Sequence, residues 1–143
     1  MGNPNDPNQT GGEEVMMPDC LVDSDIFIDF LRGQSEAVEF IKVQFPHLNL
    51  SVISVSELYA GVRDGTERTR LEEALTACRL LEVTHGIARE AGLFKRSFGR
   101  SHGVTLPDGL IAATAKEYGL SLATLNKKHF PMLPNVFSPY QKE

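Results

Sequence analysis

The sequence predicts an α/β fold: a three-layer sandwich in which a five-stranded parallel sheet carries helices on both faces. Two observations lead there. Short apolar runs alternate with stretches of helical periodicity from Cys20 to the C-terminus. Five such runs, each separated from the next by a helix, imply a parallel sheet covered on both faces. In such sheets ligands gather beyond the carboxyl ends of the strands, which tells us where chemistry should lie.

Taken in order, CLV at 20–22 reads as the first strand, and IFIDFLRG after it as a helix closed by Gly33. Val38, Ile41 and Phe45 recur at helical spacing. LSVISV at 50–55 reads as the second strand, leading into a helical SELYAGV. Leu71, Leu75 and Cys78 mark another helix, and LLEV at 80–83 a third strand. Ile87, Ala91, Phe94 and Phe98 share one helical face; Ile111, Ala112, Ala115 and Tyr118 share the next, which Gly119 ends. SLAT at 121–124 and NVF at 135–137 supply the last two strands.

The 143 residues, 41% of them hydrophobic, suit one domain with one core. Residues 1–17, rich in Gly, Pro and Asn, read as a disordered tail without the apolar centre of a signal peptide, and 18–143 as the folded domain. No apolar run is long enough to span a membrane. Four of the five net negative charges belong to Asp6, Glu13, Glu14 and Asp19. The near-neutral body that remains argues against binding duplex DNA by bulk charge. Cys20 and Cys78 are too few and too far apart for a zinc site or disulfide framework, and fit a small apolar role in a reducing cytoplasm.

Three stretches place acids at or just past a strand end. Asp23 and Asp25 lie two apart in LVDSDIF, on one side of an extended chain. Glu57 sits in the first turn after the second strand, and Asp108 opens the helix that begins at LPDG. Each has an ordinary explanation in helix capping: Ser24 or Asp25 as a cap, and Ser54/Glu57 and Thr105/Asp108 at capping-box spacing. Capping does not require an acid after each of three strands, however. Carboxylates drawn together repel unless one is protonated or a cation is shared. Oxygen ligands without Cys or His pairs point to Mg²⁺, or Mn²⁺.

The stretches LVDSDIFIDFLRG, SVISVSELYAGV, LPDGLIAATAKEYGLSLATLN and KKHF closely resemble those of PIN-domain ribonucleases, most of all the VapC-like toxins of bacterial toxin–antitoxin pairs. The resemblance runs from about Cys20 to Phe137. It implies a PIN-like fold with Asp23, Glu57 and Asp108 as the first three acids of the site, Asp23 and Asp108 on metal and Glu57 on metal or orienting a metal-bound water. Ser24 and Thr124 match the small hydroxyls that order such sites. Asn126 stands where the family often has a fourth acid or an Asn, and His129 where an aspartate often precedes the late Phe. Also implied are an RNA substrate, a small antitoxin partner and a homodimer.

Phosphodiester hydrolysis suits this set, because a divalent ion on a few carboxylates neutralises charge and activates water. Arg63, Arg68, Arg70, Lys95, Arg96, Arg100, Lys127 and Lys128 are candidates for gripping RNA phosphates, against the ordinary alternative of solvated helix faces. Two other functions stay open at this point. One is a non-catalytic PIN-like module that binds RNA or protein; the other is a phosphotransferase using Asp23 as nucleophile, for which the chain has little room for a cap.

Overall fold

Alternation along the strands decides the layering. A computed structural model describes residues 19–141. Its five strands are β1 (Cys20–Val22), β2 (Leu48–Ser51), β3 (Cys78–Leu81), β4 (Ser121–Ala123) and β5 (Val136–Phe137). All pair in parallel, in the order β3-β2-β1-β4-β5. Successive side chains of a strand point to opposite faces. Cys20 and Val22 of β1, with Leu48, Leu50 and Ala123, therefore enter one buried cluster; Leu21, Leu81 and Leu122 enter the other.

The first cluster is covered by α1 (Ser24–Leu31), α2 (Ser35–Gln44), α3 (Val52–Gly61) and α4 (Thr66–Leu75), through residues such as Phe27, Ile41, Leu58 and Leu71. The second is covered by α6 (Leu106–Tyr118) through Ile111, Ala112 and Ala115, with Phe94 of α5 (His85–His102) packed against it. Leu21, on the central strand, has no exposed surface. Truncating such a residue to Ala costs about 2–5 kcal/mol, the lost burial plus the cavity left behind.

Helices α5 and α6 form an antiparallel pair joined by a three-residue link, 103–105, in which Gly103 caps α5 at φ 67. Their close approach depends on Gly109. A methyl group there would stand 2.6 Å from the Ala91 carbonyl oxygen, a backbone atom that cannot swing aside. The contact fixes the start of α6, and Asp108 with it.

Several boundaries differ from the sequence reading. The apolar run 50–55 is not one strand. β2 stops at Ser51, whose hydroxyl accepts the Ile53 N–H as N-cap, so Val52–Val55 belong to α3. Ser54 and Glu57 therefore form no capping box; Ser54 is buried inside the helix, its hydroxyl without a hydrogen-bond partner among the described residues. Cys78 opens β3 rather than closing α4, and β3 ends at Leu81. Neither Ser24 nor Asp25 caps α1: Asp23 does, and the two occupy its first turn instead of extended chain. Cys20 and Cys78 are unpaired, and burial pushes their thiols up to about 12 and about 11. The expected N-terminal tail lies outside the described residues.

Candidate active site

Strands β1 and β4 are neighbours that leave the sheet in opposite directions of the strand order. Chain departing from their carboxyl ends opens a crevice between them. Asp23 and Thr124 are the first residues past those ends, and the Asp23 N–H still bonds the Ala123 carbonyl at 2.9 Å. There the Asp23 carboxylate is held by neutral donors. Oδ1 accepts the Ser24 N–H at 2.8 Å and Oδ2 the Thr124 hydroxyl at 2.8 Å. Thr124 Oγ1 in turn accepts the Asn126 N–H at 3.1 Å, which fixes the direction of its own proton.

Asp25 stitches the same junction from below. Its Oδ1 accepts the Ile26 N–H at 2.7 Å and its Oδ2 the Leu125 N–H at 3.0 Å, tying α1 to the chain after β4. Glu57 enters from α3, where Oε1 accepts the Ser24 hydroxyl at 2.9 Å. Ser24 thus links two acids, giving its N–H to Asp23 and its O–H to Glu57.

Asp108 closes the far side. The capping box expected from Thr105 and Asp108 is present: Thr105 Oγ1 accepts the Asp108 N–H, and Asp108 Oδ2 accepts the Thr105 N–H at 3.0 Å. The same Oδ2 lies 3.2 Å from His129 Nδ1. That nitrogen is also 2.9 Å from the Asn126 side-chain amide. One ring nitrogen cannot donate to Asp108 and also accept from an NH₂ group. With Nδ1–H directed at Asp108, Asn126 must turn its oxygen to the ring; with Nδ1 bare, the amide donates and Asp108 faces a lone pair.

The electrostatics show what this arrangement lacks. Burial first, then the charge of Asp25, push the Asp23 carboxyl up to about 7 against the hydrogen bonds that favour its anion. Asp25 is raised chiefly by burial. Glu57 is raised by burial and then by Asp108 and Asp25, its bond from Ser24 opposing the shift. These acids feel one another, and no Lys or Arg side chain answers them within the described chain.

A PIN domain family model matches residues 20–133. The chain belongs to the PIN-domain family. It is 42% identical over 124 residues to ribonuclease VapC10 of Mycobacterium tuberculosis, covering 84% of this chain and 92% of that protein. It is 37% identical over 124 residues to ribonuclease VapC19 of the same organism, covering 84% and 98%. Its fold is similar to that of a chain in a toxin–antitoxin complex from Klebsiella pneumoniae, with a TM-score of 0.74 and 28% identity over 86% of this chain and 99% of that one.

A metal in this PIN domain would meet an all-oxygen donor set. Among the described residues no three His, Cys, Asp or Glu side chains close into a ready-made cage. The acids instead form an open cup with surplus negative charge. That fits a hard cation that keeps several of its waters, as Mg²⁺ does, and not a tetrahedral zinc site. Asp108 Oδ1 and Glu57 Oε2 carry no hydrogen bond within the described chain.

The contacts of Asp25 with Leu125 and of His129 with Asp108 have no signal in local sequence, since each joins residues far apart in the chain. Phe30 and Phe45 pack against the core in an edge-on pair, and Phe94 packs against the α5–α6 side. No helix among the described residues is long and apolar enough to cross a membrane.

Proposed function

We propose that this protein is a divalent-metal-dependent endoribonuclease and the toxin of a toxin–antitoxin pair. The observation that carries the reading is the cup of mutually repelling acids at the β1–β4 crevice, in a chain closely related to proteins named ribonucleases. Asp23, Glu57 and Asp108 would hold Mg²⁺ or Mn²⁺. When bound, such an ion supplies charge neutralisation at the phosphate and an acidified water.

The remaining work falls to the chain. Ser24 and Thr124 hold Glu57 and Asp23 in fixed rotamers, so that the carboxylates need no reorganisation when a cation arrives. Glu57 is half-buried with its carboxyl raised by burial, and its Oε2, free of hydrogen bonds within the described chain, is the atom suited to take a proton from water. Water oxygen adds to phosphorus, one P–O ester bond breaks, and the departing oxygen takes up a proton. Asn126 belongs to the catalytic set through His129, which it holds beside Asp108.

The partner would be a small antitoxin whose basic segment lies across the cup, an Arg there satisfying the carboxylates in place of the metal. Two copies of the toxin are expected to pair. Purified protein should cut single-stranded RNA with Mg²⁺ or Mn²⁺ and stop when the metal is chelated. Its expression in a bacterial host should arrest growth until the neighbouring small gene is co-expressed. Folded protein that cuts no RNA under any divalent metal would overturn the nuclease reading; harmless expression of an active enzyme would overturn the toxin.

A further inference from the structure

We infer that the outer ridge of α5 is an electrostatic track that leads the RNA strand to the acid cup. The inference rests on the nuclease reading and adds the path of the substrate. Helix α5 buries Ile87 and Ala91 and half-buries Phe94 and Phe98. At 100° per residue, Arg89, Arg96 and Arg100 fall on the opposite side within about 40° of arc, spread over about 16 Å of helix. All three are exposed, and none makes a side-chain hydrogen bond or ion pair among the described residues. The only acid of the helix, Glu90, is half-buried off this line and pairs with Lys116 at 3.4 Å. Glu117 of α6 lines a cavity of about 310 Å³ with Arg89, so the uncompensated charge is greatest toward the C-terminal end of α5.

That end is the end at the site. Gly103, the cap of α5, lies so close to His129 that a methyl group on it would be 3.6 Å from Nε2, and His129 contacts Asp108. Lys127 and Lys128, both exposed, continue the positive charge to the rim.

Of the other basic side chains, Arg68 pairs with Asp64 and Glu72, Arg70 donates to the Leu31 carbonyl, and Lys95, exposed on α5, lies about 100° or more around the helix from this line. Gly92 adds an independent observation. It lies between Arg89 and Arg96 along the helix, on the exposed flank of their line, and a methyl group there would meet nothing within 4 Å. Packing does not require glycine at that point, and glycine costs an exposed helix interior about 0.5–1 kcal/mol relative to Ala. A smooth trough between two guanidinium groups is what a close-lying phosphate chain needs, and its positive potential excludes a basic partner segment.

The test is binding of the full chain to a labelled single-stranded RNA in chelator, where no cutting occurs, across a salt series. Each phosphate contact on a single strand contributes about 0.7 to the slope of log affinity against log salt. The triple variant Arg89→Gln, Arg96→Gln, Arg100→Gln should lose about 2 from that slope and bind about tenfold more weakly or worse at moderate salt. Gly92→Leu should weaken binding although it favours the helix, a result that a purely structural role does not give. The double variant Arg32→Gln, Lys42→Gln, on the other face of the sheet, should keep the wild-type slope. An unchanged slope in the triple variant, or an equal fall in the double variant, overturns the track. So does a triple variant that keeps its RNA affinity but no longer co-purifies with the antitoxin. Absence of RNA cutting by wild type in Mg²⁺ would instead strike the nuclease reading and leave the slope result standing.

Discussion

The two rims of the cup are built on opposite principles. On the strand rim, Asp23 and Asp25 are buried or half-buried and surrounded only by neutral donors: two backbone amides beyond the cap and one threonine hydroxyl. On the helix rim, Asp108 is closer to solvent, completes a capping box and has an imidazole 3.2 Å away. One rim is held in shape with its charge unanswered; the other has its own partner. Neutral donors orient a carboxylate without neutralising it, which leaves cation demand concentrated on Asp23. A pre-formed but charge-deficient rim serves a metal site better than a set of salt bridges, since nothing has to be broken before the ion arrives.

The largest effect is expected at Asp23. Asp23→Asn should reduce RNA cutting by about 10³-fold or more, as expected for loss of a group that holds the charge of the transition state. It should also stabilise the metal-free fold in alkaline buffer. The sign follows from linkage. The Asp23 carboxyl rises from 3.8 in the unfolded chain to about 7 in the fold, so its contribution is fully present below pH 3.8 and lost as pH rises through 7. An amide cannot incur that loss. Thermal unfolding at pH 8 in chelator should show the variant melting about 3–6 °C above wild type, and a lower melting point would remove the unanswered charge from the account.

The helix rim should respond less. Asp108→Asn keeps an oxygen for the Thr105 N–H but weakens the His129 contact, and should cost about 10²-fold in cutting with little change in folding. Gly109→Ala leaves every acid in place yet forces α5 and α6 apart at Ala91. Cutting should fall about tenfold to 10²-fold and the melting point should drop as well, both readable on one purified variant. Wild-type activity in that variant would mean that the position of Asp108 is not set by the helix pair.

The smallest effect is expected at Asn126. Asn126→Asp adds a charge next to His129, which absorbs part of it, so metal affinity should rise only several-fold. Equal affinities by calorimetry would take Asn126 out of the metal's surroundings altogether.

What the sequence made legible, and what it did not, follows from range. The layers and the parallel pairing were readable because apolar runs such as CLV have one physical use in a chain of this kind, whereas the strand order was not. The run SVISV was misread because Val52, Ile53 and Val55 look alike in a strand or a helix, and the decision lies with one hydroxyl, that of Ser51. Asp23 and Glu57 could be picked out because each lies beyond a strand; Asp108 follows helix α5 and not the strand expected before it, and was marked by its place at the head of a helix and by the family resemblance. The contacts that give them different roles could not. The ordering hydroxyls Ser24 and Thr124 came from the family resemblance, but the bonds of Asp25 to Leu125, 100 residues away, and of His129 to Asp108 across the turn after β4 had no such guide. The charge on α5 was visible residue by residue, but the alignment of Arg89, Arg96 and Arg100 on one exposed line, with Lys95 off it, appears only when Ile87 and Ala91 define the inner face.

The strand rim holds charge awaiting a cation, and proton release on metal binding measures that charge directly. Calorimetric titration of Mn²⁺ into metal-free wild type should be repeated in buffers of different ionisation heat, at pH 7 and at pH 8.5. With the Asp23 carboxyl near 7, binding should expel a substantial fraction of a proton at pH 7 and much less at pH 8.5, with affinity rising between the two. In Asp23→Asn both the tight binding and the proton release should vanish. Binding to that variant with wild-type affinity, or release that does not change with pH, would contradict the account.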